Sequence, residues 1–192
     1  MGSRMKSSKP RFTRRRLLLG GPLLVILCGG LWYLNWSVLE HRLITISDGR
    51  VYQSGEMPLD DLADVVAEHG IKTVIDLRLE PEHEITAERK ALSGLGVRYE
   101  HIPSTHDPVP KTVDAFLAVT DNAENFPILI HCGHGVGRSV LFAAVYRIEY
   151  EGWDADTARR ACRLFPWRGT FSPDGPKGSF LLRYRRRQDP PK

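Results

Sequence analysis

The run Pro127-Ile128-Leu129-Ile130 leads directly into His131-Cys132-Gly133-His134-Gly135-Val136-Gly137-Arg138-Ser139. No other stretch constrains the fold as strongly. A short apolar run bounded by turn-forming residues reads as a buried strand. Gly133, Gly135 and Gly137 allow the backbone after it to close into a tight arc with inward-facing N–H groups. A helix beginning near Ser139 adds the positive end of its dipole to that arc. In this field Arg138 offers a planar fork to two phosphate oxygens. Cys132 is expected to lose its proton well below the ordinary thiol range. Strand, anion cradle and helix in that order imply sulfur attacking a phosphate ester.

The rest of the chain supplies matching layers. Leu43–Ile46 and Val51–Ser54 flank Asp48-Gly49 and read as a hairpin. Pro58 to His69 reads as a helix stopped by Gly70, with Leu59, Leu62, Val65 and Val66 on one face. Ile71–Leu77 and Val97–Ile102 read as strands. Glu82–Leu92 reads as an exposed, charge-rich helix, and Thr112–Glu124, Val140–Glu151 and Ala155–Phe165 as further helices. The alternation predicts an α/β fold, a central mainly parallel sheet flanked by helices. Ligands of such sheets bind beyond the strands' carboxyl ends. Three segments leave there together: Arg78–Pro81, Pro103–Pro110 and Cys132–Arg138.

The charge is unevenly placed. Arg4, Lys6, Lys9, Arg11, Arg14, Arg15 and Arg16 are seven of 27 basic residues and stand without an acid, so the other 20 face 23 acids. The basic character belongs to this leader, which argues against a nucleic-acid partner. Leu17 to Leu34 is uncharged, with Trp32, Tyr33 and Trp36 at its far end. It reads as a single-pass transmembrane anchor with a cytoplasmic N-terminus and the catalytic domain on the non-cytoplasmic side. A twin-arginine export signal at Arg14-Arg15-Arg16 is the rival reading, although no Ala-x-Ala site follows. The expected organisation is a basic segment over 1–16, anchor or export signal over 17–36, phosphatase domain over 40–178 and basic tail over 179–192. Cys28, Cys132 and Cys162 are too few for a disulfide framework. No Cys/His cluster has zinc-ligand spacing, and neither metal nor cofactor is implied.

His131-Cys132-x5-Arg138-Ser139 resembles the signature of cysteine-dependent protein tyrosine phosphatases, in particular the dual-specificity branch. Arg50-Val51-Tyr52-Gln53-Ser54-Gly55 and Val74-Ile75-Asp76-Leu77-Arg78 are similar to segments of its small bacterial and fungal-type members. The resemblance covers about residues 44–165. It implies that Cys132 attacks phosphorus to form a phosphocysteine and that Arg138 binds the phosphate. It implies further that Ser139 assists departure of the sulfur. Gly133, His134, Gly135, Val136, Gly137 and Arg138 would form the phosphate-binding loop.

A leaving alkoxide or phenolate needs a proton. In the resemblance this comes from an aspartate upstream, which matches Asp107, 25 residues before Cys132. His106 is the substitute, since a histidine also donates near neutral pH. The expected partner is a phosphorylated protein or small phosphoester. A lipid or inositol phosphate phosphatase of the same chemistry is the alternative, as is a non-catalytic phosphoresidue-binding module. The loop lacks the lysine that some inositol-phosphate members carry, which argues against highly phosphorylated inositols. Rhodanese-like and arsenate-reductase readings fit poorly in arginine spacing and cysteine position. Nothing in the chain specifies an oligomeric state.

Overall fold

In chain order the elements are α1 (Thr13–Leu34), β1 (Ile44–Ser47), β2 (Val51–Gly55), α2 (Leu59–His69), β3 (Thr73–Asp76) and α3 (Glu82–Gly94). There follow β4 (Arg98–His101), α4 (Pro110–Thr120), β5 (Ile128–Cys132), α5 (Arg138–Glu151), α6 (Ala155–Ala161) and α7 (Pro176–Arg183). This computed structural model describes residues 13–79, 82–162 and 169–189. The first part of the basic leader, Pro81, Phe165 and Trp167 lie outside the described residues.

The strands form one sheet in the order β1-β2-β5-β3-β4. β1 and β2 are antiparallel and meet across the Asp48-Gly49 turn, where Gly49 takes a left-handed φ of 63°. The other pairings are parallel. β5 is therefore central, with β2 on one side and β3 on the other. Ile128, Leu129 and Ile130 are fully buried, as expected for a parallel strand covered on both faces.

Two-residue periodicity divides β5 between two cores. Ile128, Ile130 and Cys132 join the larger cluster, with Phe116, Leu117, Leu141, Phe142, Val145 and Leu181 among its members. Leu129 joins the opposite cluster with Leu62, Val66, Val74 and Leu92. α2 ends as its sequence dictates: Gly70 adopts φ 61° and its N–H caps Val66 O.

Two differences from the sequence reading bear on the site. The polar helix α3 is not simply exposed, since Ile85, Glu88 and Leu92 are buried. α4 stops at Thr120, where Asn122 caps a short 3-10 turn over Ala123–Asn125 by accepting from the Glu124 N–H.

The chain divides into two compact units, residues 1–40 and 41–192. In the first, α1 is followed by a π-helical turn, Asn35–Leu39, and Trp32 stacks on Trp36 at 6.4 Å. The expected single-pass anchor is corrected here: among the described residues no helix is long and apolar enough to cross a membrane. α1 begins among Arg14, Arg15 and Arg16 and contains Pro22. Proline removes a helical hydrogen bond. The non-cytoplasmic placement of the catalytic domain rested on that span and is corrected with it, and a membrane partner is left without support.

Candidate active site

The parallel register brings the carboxyl ends of the strands level. Gly55 of β2 pairs with Cys132, and Asp76 of β3 pairs with both His131 of β5 and His101 of β4. Cys132 thus ends the central strand, and residues 133–137 turn directly into α5. The turn is braced by β2: Glu56 N–H donates to Gly133 O at 3.2 Å. Gly135 sits at φ 64°, and a Cβ there would lie 2.4 Å from Gly55 N. Only glycine satisfies both the backbone angle and that approach.

Cys132 is 2 % exposed. Burial opposes its ionisation. Hydrogen bonds from the Ser139 hydroxyl and from the N–H groups of Ser139 and Gly135, with the Arg138 charge, outweigh that cost and hold the thiol below its usual range. Cys132 Sγ lies 3.4 Å from Ser139 Oγ. Ser139 Oγ also donates to Gln53 Oε1 at 3.0 Å, while Gln53 Nε2 donates to Arg42 O at 2.9 Å. Arg138, the first residue of α5, donates from Nη1 to Leu77 O at 3.0 Å. Gly133 and Val136 are half-buried and His134 is exposed, its carbonyl accepting from Arg42 Nη1.

Behind the loop, His131 points to the other face of the sheet. Its Nε2 lies 2.8 Å from Glu88 Oε1 and 3.8 Å from Asp76 Oδ1. Burial alone would lower the imidazole's pKa, but the Glu88 and Asp76 carboxylates raise it above the ordinary histidine value. Arg78, 1 % exposed, donates to Asp76, Glu88 and Glu56. Tyr99 OH donates to Asp76 Oδ2 at 2.5 Å. Asp76 is opposed by burial, yet the Arg78 hydrogen bonds, His131 and Tyr99 keep its pKa below the usual carboxylate value. Asp76, Glu88 and His131 offer metal-ligand atoms within 4.8 Å of one another. The Arg78 guanidinium already bonds both carboxylates, so this donor set is built as a charge network.

A cavity of about 400 Å³ opens beside the loop, lined by Leu79, Ser104, Thr105, His106 and Arg138. The turn after β4 forms its rim. Asp107 points away, its Oδ1 accepting from Arg183 Nη2 at 3.2 Å, with both side chains more than half exposed. His106 faces the loop instead: a Cβ on Gly137 would meet His106 Nε2 at 3.3 Å and Lys177 Nζ at 3.4 Å. Partial burial, Lys177 and Arg138 all hold the His106 pKa below its ordinary value.

Cys132, Arg138, Ser139 and the glycine loop are therefore together, with His106 over them and Asp107 turned outward. Gln53, Glu88 and Lys177 were not singled out by sequence reasoning. Gln53 lies in one of the strings that carried the family resemblance, but nothing in the chain marked Glu88 or Lys177. Cys162 is buried, pushed up to about 12 by desolvation, and donates to Ala158 O. It is a neutral thiol.

A family model described as "DSP-PTPase phosphatase fused to NAD+ Kinase" matches residues 38–165. A segment of 32 residues is 56% identical to the dual specificity protein phosphatase TpbA of Pseudomonas aeruginosa, covering 17% of this chain and 15% of that protein. The match thus spans a small part of its relative's length. The crystal structure of P. aeruginosa TpbA superposes with a TM-score of 0.58 at 25% identity, over 75% of this chain and 84% of that one. The core catalytic domain of the PP-IP phosphatase SIW14 from S. cerevisiae shares the fold, with a TM-score of 0.58 at 17% identity over 74% and 85% of the two chains.

Proposed function

The chain belongs to the DSP-PTPase family of cysteine-dependent phosphatases, and from that premise we propose that it hydrolyses phosphate monoesters of the phosphotyrosine, phosphoserine and phosphothreonine type through a phosphocysteine. The observation that carries this reading is the environment of Cys132. The sulfur is buried at the end of the central strand, with Ser139 Oγ at 3.4 Å and the loop N–H groups and Arg138 lowering its pKa.

In the first step the Cys132 thiolate attacks phosphorus, the S–P bond forms and the bond to the leaving oxygen breaks. Arg138 and the N–H groups of residues 133–138 hold the three equatorial oxygens, whose charge the α5 dipole also favours. The leaving oxygen takes a proton from the turn after β4. In the second step water attacks phosphorus, passes a proton to the same group and releases phosphate. The Ser139 hydroxyl turns from Gln53 to donate to the departing sulfur.

Asp107 is assigned as the acid. Its pair with Arg183 is exposed, and such pairs contribute only about 0–1 kcal/mol, so rotation toward the cavity costs little. His106 is a second reading, favoured by its ring over Gly137. The domain doing this is assigned to residues 40–178. Hydrolysis of p-nitrophenyl phosphate in the presence of EDTA tests the proposal: the wild-type chain turns over and Cys132→Ser falls to background. An unchanged rate in that variant overturns it.

A further inference from the structure

The phosphate loop itself contains one permanent cation, Arg138. A second arrives from a remote part of the chain. Lys177 stands in the first turn of α7, which Gly175 precedes and Pro176 opens. Its Nζ lies 3.4 Å from the position a Cβ on Gly137 would take, and His106 Nε2 lies 3.3 Å from the same point on the other element. The ammonium is thus beside the loop, next to the cavity lined by His106, Thr105, Ser104, Leu79 and Arg138.

Its position is built. Lys177 Nζ rests 5.3 Å from the centroid of the Phe171 ring, which is fully buried. Arg159, 5 % exposed, donates from Nη1 to Phe171 O at 2.8 Å. Gly178, the next residue, packs so closely on the preceding turn that a Cβ there would lie 1.8 Å from Ser172 O. A glycine is required at that contact, and the contact sets the rotation of α7 that aims Lys177 at the loop. Among the described residues no carboxylate pairs with Lys177. Burial lowers its pKa, partly offset by the Cys132 charge, so an anion placed there relieves an otherwise poorly compensated ammonium.

We propose that Lys177, together with the outer edge of the His106 turn, forms a second anion subsite that selects substrates carrying another phosphoryl group next to the scissile one. The subsite rests on the catalytic reading above, because it takes the first phosphoryl group to be held by Arg138 and the loop. A substrate with a single phosphate uses the loop alone. One with two neighbouring phosphoryl groups also gains a charge-assisted hydrogen bond from Nζ. The cation missing from the loop sequence is thereby supplied by α7.

The test is calorimetric titration of the full chain with methylphosphonate and with methylenediphosphonate, two non-hydrolysable probes differing by one phosphoryl group. The wild-type chain is expected to bind the diphosphonate roughly tenfold more tightly. Lys177→Met and Lys177→Gln should each remove that preference while leaving methylphosphonate affinity within about threefold, and Lys177→Arg should restore it. Thermal unfolding of each variant establishes that the chain is folded. Equal affinities in the wild-type chain, or the same loss for both probes in the variants, overturns the subsite. Because binding is read without turnover, that failure is distinct from failure of the catalytic reading, which appears as loss of p-nitrophenyl phosphate hydrolysis in the wild-type chain.

Discussion

Ser139 Oγ donates to Gln53 Oε1 at 3.0 Å while lying 3.4 Å from Cys132 Sγ. A hydroxyl has one proton, so glutamine and sulfur compete for it. The orientation of Gln53 is set by its other end, where Nε2 donates to Arg42 O. Gln53 thus governs how much of the Ser139 hydrogen bond reaches the sulfur. Gln53→Met should release the hydroxyl to Cys132 and lower the thiol pKa further, by up to about one unit. Ser139→Ala should raise it and slow release of the sulfur. The pH dependence of Cys132 alkylation measures the first effect, and a pre-steady-state burst in Ser139→Ala measures the second.

The proton donor separates by substitution. Activity should rise with pH as Cys132 ionises, from a pKa below the usual thiol value. Asp107→Asn should cut kcat by roughly 10²-fold or more on an alkyl phosphate. His106→Asn should cost less than about tenfold. The reverse order transfers the role to His106, whose pKa lies below the ordinary histidine value.

The buried pair behind the loop links stability to pH. The folded-state pKa of His131 is raised, so its contribution is complete below about pH 6.5, the unfolded value, and is lost as pH rises through the higher folded value. Asp76 has the opposite sign: its contribution is present above the unfolded value and lost as pH falls through the depressed folded one. Glu88→Gln leaves His131 and Arg78 short of a buried carboxylate, which should destabilise the chain by about 3–5 kcal/mol. It should also flatten the alkaline loss of stability. Urea unfolding from mildly acidic to alkaline pH measures both.

Elements with a local signal were legible in the sequence. The Asp48-Gly49 hairpin, the stop at Gly70 and the strand–loop–helix around Cys132 each carry their instructions within a few residues. Glu88 was not legible because its partners, Arg78 and His131, reach it through tertiary packing, and a charged helix reads as solvated until they are placed. Lys177 and Arg183 were illegible for the same reason: α7 meets the loop 45 residues after Cys132 in the chain. The arginine run stood in the sequence only as a basic tail over 179–192. Arg187 instead bonds Asp121 and Glu149, with Arg187 Nε 2.6 Å from Glu149 Oε1. The apolar leader was read as a span from composition and flanking charge alone, and among the described residues no helix is long and apolar enough to cross a membrane.

The phosphocysteine is tested most directly by acid-quenching the chain during turnover of p-nitrophenyl phosphate and mapping its peptides by mass. The expected result is one phosphoryl group on the peptide containing Cys132. It should accumulate further in Ser139→Ala, where release of the sulfur is slowed, and be absent in Cys132→Ser. Full turnover by Cys132→Ser, or steady accumulation of the phosphoryl group on a different residue, would contradict it.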